Sequence, residues 1–395
     1  MAMTEQEIME VMPKKPAAKL EVGAANTISV LTTRKLLLVG CGDGGCNIAA
    51  DIAARIPNEV HFIAYNTSTR GMANIDADKL ILPRDEDGAG KVREFSKDVF
   101  KKNSYKILLD SVINAVNNEG EFAYIIVCTT TDGGTGSGIS PMTAKLINDN
   151  VELPVIVLGV YPSKNEDPTA QFNALQWQTE MNKVGVPYFV LDNDKPDTDN
   201  VVDAHEAVNS YAATLMSLLA GKEFGNSDIS MIDNRNLYML LAHVGDGGRI
   251  VGAVSTNRLA SAQTLDDYVD QMLQKNLQPL PSDCRGIGVF VKGPNELISK
   301  VDTSMSGLQA KYGTAMIKFA HIEESEETKI AILMTGCTEA SGRLTEIKNR
   351  YDDAMMAQTK RTSVLSDLMS DATNPMGAVA GKSIGDEANL DALEL

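Results

Sequence analysis

The chain has little of what metal centres, disulfide frameworks and nucleic-acid surfaces are built from. Its 395 residues include five cysteines and four scattered histidines. Cys41, Cys46, Cys128, Cys284 and Cys337 form no C-x-x-C pair and no Cys/His set with zinc spacing. No protein metal site is expected, and the thiols read as free thiols of a reducing compartment. Lys and Arg number 36 against 53 acids, a formal net charge of −17. Such a chain does not bind nucleic acid through its general field, which needs Lys and Arg surfaces. The start "MAMTEQEIMEVMPKK" lacks a basic residue cluster followed by an apolar core, and no apolar run is long enough for a bilayer. The expected location is the cytoplasm, with no membrane partner.

A further absence is more specific. "TTTDGGTGSGISP" (Thr129 to Pro141) has the glycines and hydroxyls of a phosphate cradle but no lysine. The P-loop, G-x-x-x-x-G-K-[ST], needs that lysine at the β- and γ-phosphates. What is present is backbone. Glycines let amides approach an anion, and a following helix adds its dipole. The helix is expected to begin near Ser140.

Around this loop, apolar runs alternate with helical spacing. "KLLLVG", "VHFIAYN", "FAYIIVCTT", "PVIVLGVYP" and "VPYFVLDND" read as strands. "CNIAADIAARI", "VREFSKDVFKKNSYKILLDSVINAV" and "TAQFNALQWQTEMNKV" read as helices. Such alternation implies an α/β fold with a Rossmann-like parallel sheet covered on both faces. A long central helix follows, then a smaller α+β region containing "CRGIGVFVKG" and "KIAILMTG". The expected organisation is an arm over 1–33, a nucleotide-binding domain over 34–199 and a central helix over 200–224. A second domain over 225–340, a C-terminal helix over 341–370 and a disordered acidic tail over 371–395 complete it.

A second glycine loop, "GCGDGGCN", directly follows the first strand and satisfies G-x-G-x-x-G through Gly40, Gly42 and Gly45. A dinucleotide-binding enzyme would want an acid at the end of the second strand for the ribose. That strand ends "AYNTS", which disfavours an NAD enzyme. Two glycine loops at the carboxyl ends of parallel strands can instead grip one nucleotide between them.

Together these loops resemble the tubulin/FtsZ superfamily. "TTTDGGTGSGISP" resembles its signature G-G-G-T-G-[ST]-G, and "GCGDGGCN" resembles the first phosphate loop of the division tubulins. The likeness runs in order from Leu36 to Cys337, through "AYNTS", "GAGK", "YPSKNED" and "LDNDK". It implies GTP and GDP as ligands, magnesium among the phosphates, and a GTPase that polymerises head to tail. The phosphate-binding residues it implies are Gly42, Asp43, Gly44, Gly45 and Cys46 in the first loop, and Asp132, Gly133, Gly134, Thr135, Gly136, Ser137 and Gly138 in the signature loop. Asn66 and the loop Gly88, Ala89, Gly90 and Lys91 are also implied, the latter beside the γ-phosphate. Pro162 and Glu166 would lie at the ribose, with Asn193 nearby. Asn47 and Asn209 would contact guanine, with His205 where the family stacks an aromatic. Ser210 replaces the family's guanine-reading aspartate.

The resemblance places the catalytic loop in "FGNSDISMIDN", with Asn226 and Asp228 matching the family's asparagine and first acid. Asp228 is the expected water-positioning residue and Asp233 the second choice. In the filament this loop would complete the site of the neighbouring subunit. The charged helix "GRLTEIKNRYDDAMMAQTKR" and acidic end resemble the plasmid and bacteriophage tubulins TubZ and PhuZ. That implies treadmilling filaments that segregate or position DNA, with the tail meeting a basic DNA-binding adaptor. A division-ring protein like FtsZ is the alternative.

Overall fold

The computed structural model describes residues 35–83, 88–118, 122–198, 200–220, 237, 240–241, 247–257, 263–312 and 317–372. The expected arm, the catalytic loop with Asn226, Asp228 and Asp233, and the end of the tail lie outside these residues. Contacts divide the chain into two units, 1–350 and 351–395. The sheet and the site belong to the first.

Among the described residues ten strands form one sheet: β1 (Lys35–Cys41), β2 (Val60–Tyr65), β3 (Lys79–Ile81), β4 (Phe122–Thr130), β5 (Val155–Tyr161), β6 (Tyr188–Asp192), β7 (Arg249–Ser255), β8 (Gly286–Gly293), β9 (Ile317–Glu324) and β10 (Lys329–Cys337). Their order is β3-β2-β1-β4-β5-β6-β7-β10-β8-β9. The first seven pair in parallel, whereas β10 is antiparallel to both β7 and β8. The helices are α1 (Gly42–Arg55), α2 (Arg93–Val99), α3 (Tyr105–Asn118), α4 (Thr135–Asn150), α5 (Pro168–Val184), α6 (Val201–Leu219), α7 (Leu265–Lys275), α8 (Asn295–Ile298), α9 (Val301–Tyr312) and α10 (Ser341–Ala372).

Alternation along β1 explains the layering. Leu36 and Leu38 pack in one apolar cluster with Ile52 of α1 and Leu215 of α6. Leu37 and Val39 face the other way, in a cluster with Leu108 of α3, Ile139 of α4 and Trp177 of α5. Every residue from Leu36 to Val39 is fully buried, as a parallel sheet covered on both faces requires. Each such side chain stabilises the fold by about 1.5–3 kcal/mol. α6 also shares its cluster with Phe290 and Leu333 of β8 and β10, so it packs on both halves of the sheet. The later strands have a core of their own, centred on Val251, Val289, Ile332, Val269 and Leu273.

Three local departures from the sequence pattern have physical causes. The stretch read as one helix over 92–116 is α2 and α3 joined by a π-helical turn at Phe100–Ser104. There the Ser104 hydroxyl donates to the carbonyls of Val99 and Phe100. β3 and β7 carry no signal that the sequence pattern isolates, being three residues long and glycine-interrupted respectively. Both glycine-loop helices also begin earlier than expected, at Gly42 and Thr135. Gly42, Gly44 and Gly136 are therefore first-turn residues of helices, where amides have no intrahelical partner, whereas the Gly138 amide already donates to the Gly134 carbonyl at 3.2 Å.

α4 reaches back past a proline. Pro141 lies inside it and has no N–H for the carbonyl of Ser137, four residues earlier. Arg93 supplies the missing donor, its Nη2 bonding Ser137 O at 2.9 Å. The same guanidinium is buried and bonds Glu180 and Gln176 of α5. Sequence periodicity gives no hint of this substitution, because the donor lies 44 residues away.

Candidate functional site

Strand order reverses between β1 and β4, where the chain runs to β2 on one side and β5 on the other. Ligands of open α/β sheets bind beyond the carboxyl ends of strands at such a point. Cys41, Tyr65 and Thr129 are in register there, so the loops leaving β1, β2 and β4 share one edge. A cavity of about 510 Å³ opens among them, within the range of small-ligand pockets.

Two helices point their N-termini into it. Gly42, Asp43 and Gly44 of α1 line it, as do Gly134, Thr135 and Gly136 at the start of α4. Neither helix has a side-chain cap. Their first amides are thus open to an anion, reinforced by the positive ends of two helix dipoles. The two turns touch: a Cβ on Gly42 would lie 2.7 Å from the amide nitrogen of Gly136, and the φ of Gly42 is +72°. Only glycine allows both the conformation and the approach.

The "NTS" segment ties these turns together. Asn66 donates to the Asp43 carboxylate, and the buried hydroxyls of Thr67 and Thr135 lie 2.7 Å apart. The loop before α2 closes another side, with Gly88, Ala89, Gly90 and Lys91 all lining. Asn173 of α5 bonds the carbonyls of both Lys91 and Asp132 at 2.9 Å, which fixes this loop against the signature loop.

The remaining walls come from later elements. Glu166 and Asn193 line the cavity, and Asn47, His205 and Asn209 do so from α1 and α6. His205 is exposed. Asn209 donates to Asp51 of α1 at 2.7 Å. Asp51 lies nine residues beyond Gly42, about 13 Å along the helix axis. Asn209 is therefore well removed from the anion-binding turns, as a base contact would be.

Five of the residues expected at the ligand are not in the lining, and each has another engagement. Gly45 is pressed on β4, where a Cβ would meet the Cys128 carbonyl at 2.2 Å. Cys46 is buried in the core below. The Ser137 hydroxyl bonds back to the Gly133 carbonyl within the loop. Gly138 faces α2, where a Cβ would lie 2.4 Å from Ser96 Oγ. The Pro162 carbonyl accepts from Arg343 at 2.9 Å.

Cys41, Ile48, Ser68, Thr130 and Val160 line the cavity without having been singled out in the sequence. Ser68 and Thr130 lie inside quoted motifs and could have been found there. Arg343 could not. From α10 it bonds Asp192 through Nε at 2.7 Å and Asp194 through Nη2 at 2.8 Å, on either side of the lining Asn193. Asp194 also accepts from the Lys164 amide at 2.6 Å, so the β5–α5 and β6–α6 loops are held as one piece. Burial pushes the Asp192 carboxyl up, and the Arg343 guanidinium opposes that shift.

The cavity's charge is uneven. Among the described residues its lining includes the carboxylates of Asp43, Asp132 and Glu166 but only one lysine or arginine, Lys91. No group of three or more His, Cys, Asp or Glu able to hold a metal occurs among the described residues. Among them, too, no helix is long and apolar enough to cross a membrane.

Residues 35–196 match the Tubulin/FtsZ family, GTPase domain. The tubulin-like protein CetZ5 of Haloferax volcanii is 24% identical over 381 residues, covering 84% of this chain and 95% of that one. CetZ from Methanosaeta thermophila superposes with a TM-score of 0.69 at 18% identity, covering 86% of this chain and 96% of that chain. A GTPγS-bound protofilament of CetZ2 from Haloferax volcanii gives 0.65 at 19% identity, covering 83% and 99%. TubZ of Clostridium botulinum phage c-st gives 0.64 at 16%, covering 82% and 98%. At these identities the structures speak to the fold. Residues 35–196 thus carry the GTPase domain of the Tubulin/FtsZ family, and most of the chain is similar to tubulin-like proteins of that superfamily.

Proposed function

We propose that the chain binds GTP in this cavity and hydrolyses it to GDP and phosphate when subunits stack head to tail in a filament. The observation that carries the reading is the pair of uncapped helix N-termini, α1 and α4, facing one cavity beside the "NTS" and "GAGK" loops. Backbone amides and dipoles hold the phosphates there, the task a lysine performs in a P-loop. Asn47, Asn209 and His205, which line the cavity from α1 and α6, would meet the guanine base.

Magnesium fits the donor set. Asp43 and Asp132 offer hard carboxylate oxygens in the lining, and a phosphate-bridging magnesium needs few protein ligands. Bound, it would neutralise phosphate charge. The chain's own contribution is positioning: Asn66 orients Asp43, Thr67 orients Thr135, and Asn173 fixes the two loops on either side.

Assembly-dependent hydrolysis rests on the resemblance of "FGNSDISMIDN" to the family's catalytic loop. The fold likeness to the CetZ2 protofilament supports it. Asp228, with Asp233 second, would position the attacking water on the next subunit. The test is right-angle light scattering with GTP and magnesium, run beside phosphate release. Wild type should scatter and decay as phosphate appears. Asp228→Ala should leave persistent polymers with little phosphate. Wild type that never scatters removes the filament half of the proposal.

For cargo, we propose DNA positioning through a basic adaptor bound by the acidic C-terminal segment. The charged helix and acidic end of the sequence and the fold likeness to a phage TubZ support this. Capture of a DNA-binding partner by the intact chain, lost on deletion of residues 373–395, is the expected result. Capture of a membrane tether instead would move the protein to a division-ring role.

A further inference from the structure

We propose that Arg343 is a positioning residue for the cavity. From the first turn of α10 it sets two of the cavity's walls at once, so that nucleotide affinity and the seating of residues 341–350 are coupled. The inference rests on the GTP reading above and deepens it with a means of regulation from the C-terminal helix.

The Arg343 side chain is buried, and four groups share its guanidinium. Nε bonds Asp192 at 2.7 Å, Nη2 bonds Asp194 at 2.8 Å and the Pro162 carbonyl at 2.9 Å, and Nη1 reaches Glu346 at 3.3 Å. Arg350 is two turns further on and therefore on the same face, and it bonds Asp194 at 2.7 Å. A helix dipole disfavours a cation in the first turn, so Arg343 is poorly placed to serve α10 alone. Its bonds serve the loops beneath. Asp192 and Asp194 flank Asn193, which lines the cavity. Pro162 opens the β5–α5 loop, whose Glu166 lines it too. The Lys164 amide of that loop donates to the other Asp194 oxygen at 2.6 Å.

Without Arg343, Asp192 becomes a buried carboxylate with another carboxylate two residues away. A buried charge that has lost its partner is strongly disfavoured. The 192–194 segment then turns toward water and takes Asn193 with it. The Asn193 amide holds the Tyr161 carbonyl only at 3.3 Å, a long bond that does little to resist. The seat of α10 leans on the same contacts, since from this part of the chain Ala340, Leu344 and Ile347 are what enter the core around Tyr161. Coupling of this kind is reciprocal: the factor that an unseated α10 takes from nucleotide affinity is the factor by which bound nucleotide holds α10 down. A partner that draws the helix off its seat therefore weakens nucleotide binding.

The test is hydrogen exchange of the full chain with and without GDP, below the concentration at which it assembles, beside calorimetric titration with GDP. In wild type, saturating GDP should protect the starts of α1 and α4 and slow exchange at 345–350 about tenfold. It should leave α7 and α9 unchanged, since neither lines the cavity. Arg343→Met should bind GDP about tenfold more weakly and, at saturation, keep the protection of α1 and α4 while losing that at 345–350. Should this variant not fold, Arg350→Met leaves the Asp192 pair intact and should bind GDP about threefold more weakly, with reduced protection at 345–350. Glu346→Gln alters the one partner that belongs to neither wall and should bind GDP as wild type does. No GDP-dependent protection at 345–350 in wild type overturns the coupling and leaves the nucleotide site standing. So does protection that persists in full in the arginine variants, wild-type affinity in those variants, or a loss in Glu346→Gln equal to theirs. Wild type that binds no GDP overturns the GTP reading as well.

Discussion

Helices in this protein start in two ways. α5, α6 and α7 begin at Asp167, Asn200 and Thr264, whose side chains accept from the amides of Ala170, Val202 and Asp267. α1 and α4 begin at Cys41 and Gly134 and receive no such bond. A first turn without a cap costs stability, typically about 1 kcal/mol. α2 and α8 lack a side-chain cap too, but α1 and α4 are the uncapped starts whose own first residues line the cavity. Capped turns complete themselves, whereas the first amides of these two are open to the cavity. Polar composition alone does not separate the classes, since α4 has Thr135 and Ser137 at hand and spends both hydroxyls elsewhere.

The sharpest way to break the uncapped pair is to separate them sterically. Gly42→Ala would place a methyl 2.7 Å from Gly136 N at a φ of +72°. It should cost about 3 kcal/mol and abolish nucleotide binding. Gly185→Ala supplies the control. Its φ is +70°, but nothing lies within 4 Å of the added methyl. That variant should lose only about 1 kcal/mol and bind normally. Urea unfolding of both reads the difference directly. Equal losses would mean that conformation alone, and not the approach of the two turns, fixes the site.

The second effect concerns how α4 is held. Arg93→Met leaves the Ser137 carbonyl without its donor and Glu180 without one of its partners. A loss of about 2–3 kcal/mol is expected. Adding Pro141→Ala returns the N–H that the helix itself lacks. It should recover about 1 kcal/mol in that background and much less in wild type. A double-mutant cycle in urea measures this coupling. Simple additivity would show that Arg93 matters only through Glu180 and Gln176.

These two cases mark the limit of what the sequence discloses. The parallel sheet was legible because Leu36 to Val39, Phe122 to Cys128 and Val155 to Leu158 are unbroken apolar runs, which double-sided burial demands. Most of the cavity was legible because its contacts are backbone, and close backbone approach leaves glycines in the sequence. The glycines did not reveal their individual tasks. Gly45 and Gly138 serve helix packing, and spacing cannot tell a glycine that meets a phosphate from one that meets a strand. Residues acting from a distance left no local trace at all, as with Arg93 on Ser137 and Arg343 around Asn193. The early starts of α1 and α4 were hidden for a related reason: glycine, threonine and serine read as loop until tertiary contacts hold them in a turn.

Among the capped helices the expected effect is smaller and purely structural. Thr264→Ala removes the hydroxyl that accepts from the Asp267 amide at 3.2 Å. About 1 kcal/mol of stability should go, with nucleotide affinity unchanged. Thermal unfolding with and without nucleotide checks both halves. A change in affinity would mean that α7 communicates with the cavity and that the two classes of helix start are not independent.

The smallest effect is on reactivity and concerns Cys41, which stands at the cap position of α1 without capping it. Two influences compete there. A thiol at a helix N-terminus is ordinarily acidified by the dipole. Burial opposes this, and the Cys41 thiol is fully enclosed in the core cluster that holds Leu37, Val127 and Ile139. Burial wins and pushes the thiol up to about 12. At pH 8 the thiolate fraction is then about one in ten thousand, against about a quarter for a free cysteine. Iodoacetamide should therefore leave Cys41 unmodified in the native protein and label it only as fast as the first turn opens, which mass spectrometry of the labelled peptide can follow. Bound nucleotide, by closing that turn, should slow the labelling further. Rapid labelling of the native chain would place the thiol on the amides instead of in the core, and α1 would then join the capped class.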